Sequence, residues 1–127
     1  MFESLFQYNN LGLFSLRLAV AVIFLYHSFP KLKNAKGMAQ MMGTQTAMVF
    51  ILGAVELLSS LGLALGFYTQ LSALLLAIVM VGAIVMKTMK WGAPFSAMDK
   101  TGWEFDLILL AANIAIFLGG GGSIGIQ

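Results

Sequence analysis

Seven basic side chains, five carboxylates and one histidine are nearly all that this 127-residue chain offers for acid–base or electrostatic chemistry. Three of them, Arg17, His27 and Glu56, fall inside or at the edge of apolar runs. If those runs lie in hydrocarbon, each ionised group costs at least about 2.5–3.5 kcal/mol and calls for a partner. Arg17 lies about six residues in from the start of its run and Glu56 about twelve from the far end of the next, roughly 9 and 18 Å at 1.5 Å per residue. A guanidinium stem can span that offset, so an Arg17–Glu56 pair is expected, in which each charge offsets the desolvation of the other. Such a pair can lock helix register as readily as it can serve chemistry.

His27 precedes Lys31 by one helical turn, and the last apolar run opens with Glu104 and Asp106. A histidine beside carboxylates titrates near neutral pH and can pass a proton or bond the carbonyl of a quinone. An interfacial histidine held by a backbone carbonyl or a lipid headgroup is the plainer alternative. Glu104 and Asp106 also suit the first turn of a helix, where acids complement its dipole. Asn113, seven residues beyond Asp106, shares its face and reads as a polar contact between helices.

Other chemistries find no residues. The chain has no cysteine, so disulfides, thiolate metal sites and iron–sulfur clusters are excluded, and one histidine is too few for an expected haem or zinc site. There is no phosphate loop, no HExxH and no catalytic triad order. Met38, Met41 and Met42 read as soft packing rather than a copper site. A net charge of +2 gives no case for nucleic acid.

The elements that position these groups follow from composition. Hydrophobic residues make up 60% of the chain and charged ones 9%, against roughly 25% charged in a soluble domain. Mean hydropathy is +0.92. Twelve charges cannot cover a soluble surface, so lipid is the expected solvent. Apolar runs at about 11–29, 47–68, 71–86 and 103–118 predict four spans and a single all-α, integral-membrane four-helix bundle covering 1–127. Pro30 is expected to close the first helix, Thr69-Gln70 to form a tight turn, and Gly119 to stop the last helix. The first run follows Met1-Phe2-Glu3 without a basic n-region, which favours a span over a cleaved leader.

Lys31, Lys33, Lys36, Lys87, Lys90 and Lys100 all fall in the two longer links. Those links should therefore face the cytoplasm and both termini the outer side. Trp91 and Trp103, with Tyr8 and Tyr68, sit where aromatic belts would place them. Gly53, Glu56 and Ser60 share one helical face, beside a stripe of Ser59, Gly62 and Gly66 that lets a neighbour approach closely.

The chain resembles the DoxX family of small four-span prokaryotic membrane proteins. The resemblance rests on Leu16-Arg17-Leu18 and Tyr26-His27-Ser28-Phe29-Pro30-Lys31, on Gly53-Ala-Val-Glu56, and on Gly102-Trp-Glu104 leading to Leu-Leu-Ala-Ala-Asn113. The family commonly has Gly where Ser28 stands, and a Gly-Pro-Gly-Arg-like ending where this chain has Gly119 to Gly122. The resemblance implies the prokaryotic cytoplasmic membrane and places Arg17, His27, Glu56 and Glu104 at recurring polar positions. The family name comes from a subunit of an archaeal terminal quinol oxidase, and relatives are linked to thiosulfate:quinone oxidoreduction. The leading expectation is an accessory subunit of a larger electron-transfer complex. It would hold no redox cofactor of its own, would have structural lipid around it, and would have a quinone or proton pocket among His27, Glu104, Asp106 and Asn113. A small solute or proton carrier, or a purely structural subunit, are the alternatives.

Overall fold

A computed structural model describes residues 1–126; Gln127, the last residue of the tail, lies outside them. Among the described residues every regular element is helical. A 3₁₀ turn, Glu3–Tyr8, leads into α1 (Asn9–Lys33). A short α2 (Ala35–Met42) precedes α3 (Thr46–Leu65). Next comes α4 (Thr69–Val85), whose end widens into a π turn, Met86–Lys90, and then α5 (Trp103–Gly119).

All four apolar runs become helices, with shifted ends. Helix α1 continues through Pro30 to Lys33. A proline removes only its own N–H bond to the preceding turn, while its fixed φ is helical, so the residues after it can still coil. The helix stops at Asn34, whose side chain accepts from the Gly37 N–H and starts α2 in a stretch expected to be an irregular link. Helix α3 ends at Leu65 rather than Tyr68. Gly66 takes the left-handed conformation (φ 74°) that closes a helix, with Phe67 N–H donating to the Gly62 carbonyl. Thr69 and Gln70, expected as the turn, instead form the first turn of α4.

The bundle buries polar groups within a largely apolar core and exposes large apolar side chains. Arg17, Ser28, Glu56, Ser60 and Asn113 are buried, while Leu58, Ile78 and Ile108 are 69%, 59% and 65% exposed. A continuous apolar exterior of this kind is stable against lipid rather than water. Glu3–Lys33, Thr46–Leu65 and Thr69–Lys90 are each long and apolar enough to cross a bilayer. Helix α5 is shorter, at 17 residues. Helix α1 packs chiefly on α3 and α4 on α5; the α3–α4 hairpin and an α1–α5 seam close the ring. Val20, Phe24, Leu63, Leu76, Leu109 and Ile116 fill its centre.

Close approach of α1 to α3 depends on Gly53, where a Cβ would stand 2.8 Å from that of Lys31. At the opposite end a Cβ on Gly66 would meet the Gly125 Cα at 2.7 Å and the Ile124 carbonyl at 2.9 Å. Both are backbone atoms and cannot step aside cheaply. Gly66→Ala should therefore destabilise the fold by about 1–2 kcal/mol through left-handed strain alone. Protease accessibility of the tail should rise with it; an unchanged melting temperature would show that this turn does not set the end of α3.

Candidate functional site

The antiparallel α1–α3 register sets the site. Gly53 lies against Lys31 and Gly66 against Arg17, so Glu56 is level with the last turns of α1. The Lys31 ammonium donates to both Glu56 carboxylate oxygens, at 2.8 and 2.6 Å. The carboxylate is 1% exposed and the lysine 15%. The expected Arg17–Glu56 pair does not form. Arg17 is level with Gly66, ten residues beyond Glu56 on α3, or roughly 15 Å, and no guanidinium stem covers that distance.

A second pair faces the first across the bundle. The π turn at the end of α4 brings Lys87 Nζ to 2.7 Å from Asp106 Oδ2 on α5. The same ammonium donates to Thr101 Oγ1 at 3.0 Å. The contact with Asp106 is an ion pair rather than an aligned hydrogen bond. Trp91 N–H to the Met86 carbonyl (2.9 Å) is the five-residue bond of the turn. Lys90 ties the turn to the end of α2 by donating to the Gly43 carbonyl at 2.7 Å.

Between the two pairs lies a cavity of about 640 Å³, within the roughly 300–1,000 Å³ typical of small-molecule sites. Its walls are largely apolar, including Ile23, Met48, Leu52, Val79 and Phe105, and Lys31, Glu56, Lys87 and Asp106 line it together with His27. The imidazole, half-buried, leans on the rings of Tyr26 (5.5 Å) and Phe105 (5.6 Å). It takes part in no hydrogen bond among the described residues, which leaves both ring nitrogens for a ligand. Two ammonium groups, two carboxylates and a free imidazole in an apolar hollow can bind a polar ring and stabilise charge or a proton arriving on it.

The structure brings together His27, Glu56 and Asp106 of the expected residues. Glu104 is exposed and does not line the cavity, because one residue along α5 from Phe105 points away from the bundle. Asn113 is buried below the cavity, and its amide donates to the Leu109 carbonyl of its own helix (2.8 Å) rather than to a neighbour. In sequence Lys87 reads as a loop charge that sets orientation, and Lys31 as such a charge that also follows His27 by one turn. The four-residue step from His27 to Lys31 was the available signal for Lys31; the π turn that turns Lys87 inward leaves no sequence mark.

A model of the DoxX family matches residues 12–89, spanning α1 to the π turn and so including His27, Lys31, Glu56 and Lys87. A protein of Bacillus subtilis (strain 168) named "Putative oxidoreductase CatD" is 30% identical over 114 residues, covering 87% of this chain and 81% of its own. No solved structure matches significantly.

Proposed function

From a chain that belongs to the DoxX family of membrane proteins, we propose a four-span accessory subunit of a prokaryotic cytoplasmic-membrane electron-transfer complex, whose cavity receives the ring of a membrane quinone. The observation that carries this reading is the convergence of two lysine–carboxylate pairs with buried carboxylates and an unengaged imidazole on one apolar-walled cavity. The Bacillus relative's name supports an oxidoreductase setting. Without cysteine and with one histidine, the chain has no side-chain set for a metal or sulfur redox centre, so the electrons belong to a partner subunit.

The His27 imidazole donates a hydrogen bond to a ring oxygen and holds the ring against Phe105. Lys31 and Lys87 favour negative charge on that oxygen, and Glu56 and Asp106 keep the two ammonium groups in place when the cavity is empty. A quinone supplies the two-electron, two-proton chemistry. The lysine-rich end faces the cytoplasm and both termini the outer side, following the distribution of positive charge. Structural lipid covers the apolar exterior.

Phe24 closes the cavity on its inner side, and the apolar residues Val20, Leu63, Leu76 and Ile116 pack in the same cluster without lining the cavity. That packing favours a closed binding pocket over a continuous solute or proton path.

Purification from native membranes in gentle detergent, with mass spectrometry of proteins and extracted small molecules, tests the proposal. Stoichiometric redox subunits and quinone are the expected result. A lone protein carrying only phospholipid, and moving protons or solutes in liposomes, would replace it with the carrier reading.

A further inference from the structure

The end of the bundle opposite the quinone cavity holds a cation without a counterion among the described residues. Arg17 is fully buried, and its three guanidinium nitrogens meet no acceptor among the described residues. Its one polar-type contact is with the Phe14 ring, 5.2 Å away, and a cation–π contact is weak compensation for a buried charge. The nearest carboxylate in sequence, Glu3, is exposed and pairs with the Met1 ammonium.

Near Arg17 lies a polar pocket of about 500 Å³ whose lining includes Gly66, Thr69, Gln70 and Gly120 to Gly122. A Cβ on Gly66 would stand 2.9 Å from Arg17 Nη1, and one on Gly121 2.8 Å from Arg17 Cδ. The Arg17 side chain thus adjoins two of the glycines that line the pocket, without lining it itself. The 17-residue helix α4 starts at the same pocket, and no side chain caps its first N–H groups. Uncapped N–H groups and the positive end of the helix dipole add to the charge of Arg17.

We propose that this is an anion site. Arg17 and the N-terminus of α4 bind a phosphate or carboxylate group, reached when the glycine tail yields. The shared chemistry is a compact oxyanion, supplied either by the headgroup of an anionic lipid or by a soluble anion. The planar guanidinium fork suits a two-oxygen contact.

The test uses the full chain in nanodiscs of phosphatidylcholine, of phosphatidylcholine with phosphatidylglycerol, and in detergent titrated with inorganic phosphate. Melting temperature and native mass spectrometry are the readouts, for the wild type, Arg17→Gln and Arg17→Lys. The wild type should melt higher with phosphatidylglycerol or with phosphate, with Arg17→Gln at least tenfold weaker in binding and Arg17→Lys intermediate. A response to phosphate without lipid identifies a soluble anion, and a response to phosphatidylglycerol alone a lipid headgroup; both support the site. Arg17→Gln should fold, since it removes an uncompensated charge. A wild type indifferent to both anions, or an Arg17→Gln protein that responds equally, overturns the proposal.

Discussion

Replacing Lys31 with methionine should destabilise the bundle by about 3–5 kcal/mol, the largest single effect expected at a polar position. The ammonium holds both oxygens of a carboxylate that is 1% exposed. Its removal leaves that carboxylate buried and unpaired, or forces it to take up a proton. Because the penalty belongs to the orphaned partner, removing both charges should recover most of it: Lys31→Met with Glu56→Leu should fall within about 1–2 kcal/mol of the wild type, or exceed it. Unfolding of the single and double variants in mixed micelles checks this. A loss below about 1 kcal/mol for the single change would mark the pair as a screened, surface-type contact.

The second large effect concerns ligand binding. His27→Leu keeps the apolar contacts with Tyr26 and Phe105 and breaks no hydrogen bond among the described residues. Stability should change by less than about 1 kcal/mol, as for a volume-conserving apolar change. Quinone affinity should fall at least tenfold, or about 1.4 kcal/mol, through loss of the donor to the ring oxygen. Equal affinity in a folded variant would remove the imidazole from the site. A variant that loses both stability and affinity would make His27 a packing residue.

The four helices were legible because apolar runs of this length have few other solutions in lipid. Their ends were less so. Pro30 reads as a stop, yet a proline disturbs the turn before it and leaves the turn after it free. Gly66, one of a stripe of small residues, gave no sign that it alone would take the left-handed cap.

Sequence pairs two charges, Arg17 and Glu56, that the structure keeps apart. Arg17 and Glu56 are the most conspicuous opposite charges, and the reading of depth from expected helix ends shortened the gap between them. The actual register, fixed by Gly53 against Lys31 and Gly66 against Arg17, separates them and assigns Glu56 to a lysine that looked interfacial. Register is a tertiary property, decided by which small residues allow close approach. The same register leaves Arg17 without an acceptor among the described residues at the other end, which no pattern along the chain announces.

We propose that a quinone ring sits among His27, Lys31, Lys87 and Phe105. Photolabelling with an azidoquinone in native membranes, followed by peptide mapping, tests it most directly. Labels should fall on cavity residues such as Met48, Met86 and Phe105, and unlabelled quinone should compete them away. Labels confined to the glycine-rich end or to the lipid-facing surface, or undiminished by competitor, would contradict it.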